Sequence, residues 1–180
     1  MKGVVFVEFI EMVENNFSIE MGDRLIEMSD LASGGIYTSV GTYDPQEMVT
    51  LVVNLSTITE IPVSDLLKTF GRYLFLRFVE NFPDFFKGIT SSIDFLSQVD
   101  SYVHLEVRKL YENAELPTFE CSSPEPGHLH MIYESKRDLP DLAEGLILGC
   151  IDYYGEPLKV ERKRVPENPM ATLFIISPSG

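Results

Sequence analysis

Leu116-Pro117-Thr118-Phe119 divides the chain into two kinds of periodicity, and few folds accommodate both. On its N-terminal side apolar residues recur at three- and four-residue steps; on its C-terminal side they alternate between turn clusters. Proline lacks a backbone N–H, fixes its own φ and pushes the preceding residue toward extended backbone, so a helix approaching this point ends before Pro117. Helices followed by strands imply an α+β protein with mainly antiparallel strands. A chain of 180 residues buries a proper core, as one domain or two tightly packed lobes.

The first helix is expected over residues 4–15, with Val5, Phe9, Met12 and Val13 on its apolar side and Glu8, Glu11 and Glu14 against it. Asn15-Asn16 ends it, and Ser18 starts a second helix reaching about Met28. Three glycines between Ser33 and Thr42 mark a loop. Asp44-Pro45 is an N-cap with proline at the first helical position, followed by Met48, Leu51, Val52 and Leu55. After Glu60-Ile-Pro-Val, Ser64 is expected to cap a helix carrying Leu66, Leu67, Phe70, Leu74, Phe75 and Phe78. That helix is apolar round much of its circumference, so it belongs in the middle of the protein, where Phe75 and Phe78 can also line a pocket. Ser91 onward leads through Val99 into a helix over residues 100–111.

Beyond the divide, Ser122-Ser-Pro-Glu-Pro-Gly127 is a turn cluster and residues 128–137 are expected as a strand. Pro140 introduces a helix to about Tyr153, with Leu142, Gly145, Leu146 and Gly149 on one side; glycines four apart let another element approach closely. Residues 158–164 and 171–176 alternate as strands, with Glu167-Asn-Pro169 turning between them.

Charge narrows the partners. Fourteen basic residues against 28 acidic ones leave a net charge of −14, a field that repels phosphate backbones and anionic lipid, so neither nucleic acid nor a membrane surface is expected as a partner. Cys121 and Cys150 stand in no CxxC or disulfide spacing, which fits a reducing cytoplasm. Glu8 and Glu11 follow the short apolar start at once, leaving neither a signal-peptide core nor a membrane span. The hydrophobic fraction of 44%, with 12 Phe and 8 Tyr, is enough to enclose a large flat apolar guest.

Two stretches carry chemistry. In residues 100–111, Val103, Val107, Leu110 and Tyr111 make an apolar face with Glu106, Arg108 and Lys109 opposite; His104 borders that face. A histidine so placed serves either as a packed, hydrogen-bonded residue or as a neutral imidazole for a metal. In Tyr133-Glu-Ser-Lys-Arg137, strand alternation puts Tyr133, Ser135 and Arg137 on one face, either as a solvated surface or as a clamp for a carboxylate or phosphate. His128 and His130 share the opposite face with no further Cys or His nearby, so no metal site is expected there, and Cys121 is expected as a packed boundary residue. Taken together, an imidazole bordering an apolar cavity and an anion clamp some thirty residues later suit a haem, which needs an axial nitrogen and partners for two propionates.

The segments Val103-His-Leu-Glu-Val, Leu116-Pro-Thr-Phe and Tyr133-x-Ser-x-Arg137, in this order, resemble the haem nitric-oxide/oxygen-binding (H-NOX) family, related to the haem domain of soluble guanylate cyclase. Met1-Lys-Gly, Phe70-Gly-Arg and the Gly145-Leu-Ile-Leu-Gly run fit as well. The likeness spans essentially the whole chain. It implies one H-NOX-like domain, with a helical N-terminal part over about residues 1–62 and a haem-bearing part over about 63–180.

The resemblance further implies haem b (iron protoporphyrin IX) between the two parts, with His104 on iron and Tyr133, Ser135 and Arg137 on the propionates. Pro117 resembles the residue that presses on the macrocycle, and Val5 the N-terminal aliphatic contact. Phe75, Phe78, Leu142 and Leu146 match positions on the far face. Oxygen-binding relatives carry a tyrosine where this chain has Leu142, five residues beyond the arginine; leucine cannot donate, so the pocket is expected to favour nitric oxide, and also to admit carbon monoxide, provided that none of Tyr37, Tyr43 or Tyr73 reaches it. The implied function is a stand-alone, non-enzymatic nitric oxide sensor. Gas binding weakens the His104–iron bond, and the resulting shift signals to a separate protein such as a histidine kinase or a cyclic-di-GMP enzyme. An oxygen-binding or gas-storing haem protein and a haem-free anion-binding module are the alternatives.

Overall fold

The computed structural model describes residues 1–111 and 114–180. The helices α1 (Gly3–Asn16), α2 (Ile19–Met28) and α3 (Pro45–Thr59) come first. The β-branched Val4, Val5 and Val7 are poor helix formers, yet α1 forms because Phe6, Phe9, Met12 and Val13 are all buried along one face. Phe6, absent from the expected face, is fully buried and stacks on Tyr37 with ring centroids 4.5 Å apart. Glu8, expected among the solvated acids, is buried too, because Arg77 reaches it at 2.7 Å. Ser18 caps α2 by accepting from the Met21 N–H at 3.2 Å, and Asp44 caps α3 by accepting from Gln46 at 2.9 Å, both as their sequences predict.

The long helix α4 (Val63–Asn81) starts two residues earlier than expected: Pro62, not Ser64, is its N-cap, and no side chain caps it. Its fixed φ and missing N–H make Pro62 extended and let it close the preceding turn. A 3-10 turn (Pro83–Phe86) leads to α5 (Ser92–Ser97), which Ser91 caps. The sequence predicts a helix from there through Val99 to Tyr111. Instead, a π-helical turn (Val99–Val103) intervenes before α6 (His104–Leu110), and Leu110, expected on the apolar face, is exposed. The π turn carries one residue more than the α ladder allows, and the phase of every following side chain changes with it.

Four strands, β1 (Thr118–Ser122), β2 (Leu129–Glu134), β3 (Leu158–Val165) and β4 (Asn168–Pro178), form an antiparallel sheet in the order β1-β2-β4-β3. Tyr133 pairs with Phe119 on one side and Thr172 on the other. Between β2 and β3 runs α7 (Pro140–Tyr154), opened by Pro140 and closed by Gly155 at φ 65°. β4 begins at Asn168, so the turn between β3 and β4 is shorter than expected. The architecture is thus α+β with an antiparallel sheet, as the periodicities require.

Two apolar clusters meet at the α4–α7 pair. Leu66, Leu67, Phe70 and Leu74 of α4 join α1 and α3, whereas Phe75 joins α5, β2, β4 and a face of α7 from Ala143 to Ile151. The two helices touch backbone to backbone: a Cβ on Gly71 would lie 2.6 Å from the Gly145 Cα, and one on Gly149 would lie 3.0 Å from the Arg72 Cα. Only glycine permits that approach. Among the described residues no helix is long and apolar enough to cross a membrane.

Candidate functional site

Where the clusters meet, the side chains leave a cavity of about 250 Å³. Well-packed interiors keep few voids larger than a water molecule, so a space of this size inside an apolar core is a built feature. One wall is made by the end of the π turn, α6, the segment after it and β1, with Val103, His104, Val107, Leu116, Pro117 and Phe119. Val5 of α1, Leu74, Phe75 and Phe78 of α4, and Leu142 and Leu146 of α7 contribute aliphatic and aromatic surface. Tyr133, Ser135 and Arg137 supply the third group of lining residues. Every site residue anticipated from the sequence therefore borders the same space.

His104 is tucked in, with only 12% of its side chain exposed, and its ring lies 5.8 Å from that of Phe119. Its Nδ1 is 3.1 Å from the Asp100 Oδ1. A carboxylate only accepts, so Nδ1 carries the proton and Nε2 keeps its lone pair. Burial holds the imidazole below its ordinary pKa; the hydrogen bond it donates to Asp100 opposes this without overcoming it. The ring is thus neutral near pH 7, the form in which a nitrogen can bind a metal.

Tyr133, Ser135 and Arg137 do not sit on one strand face. β2 ends at Glu134, and Ser135 and Arg137 lie on the turn that follows, where Asp138 takes φ 46°. The turn is held locally: the Ser135 Oγ accepts from the Arg137 N–H at 3.2 Å, and the Tyr133 hydroxyl oxygen accepts from the Leu139 N–H at 3.3 Å. Burial raises the Tyr133 phenol above its ordinary pKa, so it remains a donor. The Arg137 guanidinium is mostly buried, with 18% of its side chain exposed; its Nη2 is 3.7 Å from Glu115, and its Nε is buried without a partner. An orphaned guanidinium N–H beside a hydroxyl and a phenol, at one margin of an apolar cavity that also holds a neutral imidazole, fits an anionic tail on a flat apolar metal complex. The residues present therefore fit haem.

The three tyrosines named above as other donors for the gas are occupied elsewhere. Tyr37 donates to Glu47 at 2.7 Å, the Tyr43 hydroxyl accepts from the Thr38 N–H at 2.9 Å, and the Tyr73 hydroxyl is 3.4 Å from the Asn15 amide; none borders the cavity. The tyrosines that do border it are Tyr133 and Tyr111, and Tyr111 follows α6 directly. The α4 and α7 positions lining the cavity are all hydrocarbon.

Val107 and Tyr111 were legible as one helical face. Leu74, Phe119, Met131 and Ala143 were not anticipated; for Phe119 the alternation through Thr118-Phe119-Glu120 was the available signal. His128 precedes β2 instead of lying in a strand; its Nδ1 is 3.3 Å from the Pro126 carbonyl and its Nε2 3.3 Å from Glu125. Cys121 is an exposed residue whose thiol turns toward the Leu96 carbonyl at 3.8 Å.

The family model described as Haem-NO-binding matches residues 2–162. An H-NOX protein from K. algicida, solved in the unliganded Fe(II) form, is 34% identical with a TM-score of 0.91, over 100% of this chain and 97% of that one. The Shewanella woodyi H-NOX, solved with IWP-051 in the Fe(II)CO state, is 40% identical with a TM-score of 0.85, over 99% and 95% of the two chains. Soluble guanylate cyclase gcy-35 of Caenorhabditis elegans is 22% identical over 152 residues; these are 82% of this chain and only 22% of the cyclase. A fold, a cavity and a family match over most of the chain agree, and the chain belongs to the H-NOX family of haem-binding, gas-sensing domains.

Proposed function

We propose that this chain is a nitric oxide sensor and not an enzyme, built on haem b bound through His104, that reports to a separate partner in the cytoplasm. The observation that carries the choice of gas is the hydrocarbon surface of α4 and α7 in the cavity, with Leu74, Phe78, Leu142 and Leu146 and no hydroxyl or amide. Haem held through His104 would supply a ferrous iron able to take a diatomic gas, and the chain would read that gas through the hold of the His104 imidazole. Oxygen needs a nearby hydrogen-bond donor far more than nitric oxide does, and such a donor is worth on the order of 1.5–3 kcal/mol, or about ten- to a hundredfold in affinity. Carbon monoxide, the ligand in the S. woodyi relative, also needs none.

The chain's own residues have distinct roles in this reading. His104 offers a neutral ring nitrogen. Tyr133, Ser135 and Arg137 hold the acid tails, Pro117 presses on the ring, and Val5, Phe75 and Phe78 exclude water. A His104 freed from the group it holds would move with α6, which packs mainly against its own π turn and so could shift without unmaking the sheet. The helical part over about residues 1–62 follows, and a histidine kinase or a cyclic-di-GMP enzyme reads the change. The gas moves this equilibrium only by its preference for the released state.

An absorption spectrum of protein purified with haem supplied tests the reading. We expect a Soret band, loss of the imidazole from iron on nitric oxide addition, and no oxygen retained in aerated buffer; His104→Ala should alter the ferrous spectrum. Absence of a Soret band would leave the haem-free anion-binding module, and a ferrous protein that holds oxygen in air would make it an oxygen carrier.

A further inference from the structure

Asp100 lies on the π turn and His104 is the first residue of α6, so the two side chains meet across the one irregular step in this part of the chain. That step is defined by hydrogen bonds: Val103 N–H reaches the Gln98 carbonyl at 3.4 Å, and the His104 N–H reaches that of Val99, both five residues back. The turn delivers the Asp100 Oδ1 to 3.1 Å from the His104 Nδ1. Among the described residues no lysine or arginine forms an ion pair with Asp100, and the His104 imidazole is the side-chain partner its carboxylate has. The pair is also sheltered, with 12% of the His104 side chain and 37% of the Asp100 side chain exposed.

We propose that Asp100 is a positioning residue that sets how firmly His104 holds iron, and hence how readily the sensor lets go. The inference rests on the haem reading above. A carboxylate that accepts the Nδ1 proton fixes the tautomer, aims the ring and makes Nε2 a stronger donor, and partners of this kind typically change metal affinity ten- to a hundredfold. In a sensor whose signal is the breaking of that bond, the same hydrogen bond is a threshold control. A tight pair delays release and a loose one allows it at lower gas occupancy, because the ligand supplies a fixed preference against a bond of adjustable strength.

The test compares ferrous, haem-loaded wild type with Asp100→Asn, which keeps an acceptor but removes its charge, and Asp100→Ala, which removes both. Resonance Raman should show the iron–imidazole band at lower frequency in Asp100→Asn and lower still in Asp100→Ala. Haem affinity of the Ala variant should be down ten- to a hundredfold, with circular dichroism unchanged. A band at the wild-type position in both variants overturns the proposal, and if Asp100→Ala does not fold, Asp100→Asn decides alone. If wild type takes up no haem, the haem reading fails separately. The His104 ring ¹⁵N spectrum still tests the pair: Nδ1 protonated in wild type and redistributed in the variants is expected, and an identical tautomer in all three overturns it.

Discussion

At position 142 the side chain is four carbons with nothing to donate, on the first turn of α7 and at the edge of the cavity. Its neighbours in that wall are no more polar, so a single substitution is enough to test whether ligand choice is set there. Leu142→Tyr places a phenol on a residue already 9% exposed, where the cavity gives the larger ring room. One hydrogen bond to a bound gas contributes on the order of 1.5–3 kcal/mol, so oxygen affinity should rise about ten- to a hundredfold while nitric oxide affinity changes little. Oxygen dissociation followed by stopped flow measures it; unchanged oxygen binding would show that position 142 does not face the gas. The residue scale also contains the part of the site most visible in the chain itself. His104, Pro117 and Arg137 stand out because imidazole, a missing N–H and a guanidinium are chemically distinctive wherever the backbone carries them. Leu74 and Met131, which border the same cavity, are ordinary core residues by type, and only their neighbours give them a role.

The α4–α7 contact shows what elements add to residues. A Cβ on Gly145 would stand 2.4 Å from the Lys68 carbonyl oxygen and 2.9 Å from the Gly71 Cα, both backbone atoms that cannot rotate aside. Gly145→Ala therefore pushes two helices apart along their whole contact, the kind of overpacking that costs about 1–3 kcal/mol. The thermal midpoint should fall by several degrees, at roughly 2–4 °C per kcal/mol for a chain of this size. Because the same helices carry Phe75, Phe78, Leu142 and Leu146, the cavity should widen, and differential scanning calorimetry together with the ferrous absorption spectrum should register both changes. The glycines four apart announced a close neighbour in the sequence; that the neighbour is Gly71 of α4 follows only from how the helices cross. The break between α5 and α6 was hidden for the opposite reason. Residues 98–104 carry no proline and no glycine, so local preference favours a continuous helix, and tertiary packing selects the π turn instead.

Across the whole molecule, α1 is pinned to α4 by a charged contact that no periodicity could anticipate. Arg77 donates from Nε to Glu8 at 2.7 Å, while its Nη1 and Nη2 lie 2.6 Å from Glu80 and 3.5 Å from Glu11. Glu8 has 6% of its side chain exposed, and beyond Arg77 its carboxylate has the Asn81 amide at 3.4 Å. Arg77→Ala should destabilise the protein by about 2–4 kcal/mol, below the usual cost of breaking a fully buried pair because Arg77 itself is partly exposed. Urea denaturation measures the loss, and adding Glu8→Gln should return part of it by removing the stranded charge; an Arg77→Ala variant as stable as wild type would mean that the contact is incidental. If the N-terminal helices move when His104 is released, this is a contact they must carry with them or give up. The order of helices and strands, the stop before Pro117, the caps at Ser18 and Asp44, and the residue types around a haem were determined by the chain alone, because periodicity, capping and ligand chemistry act over a few residues. The burial of Glu8, the exposure of Leu110, the turn that carries Ser135 and Arg137 beyond the end of β2, and the pairing of Asp100 with His104 were decided by tertiary structure. In each, the energy that matters comes from a group distant in sequence or from a backbone irregularity that packing imposes, and neither leaves a mark on local preference.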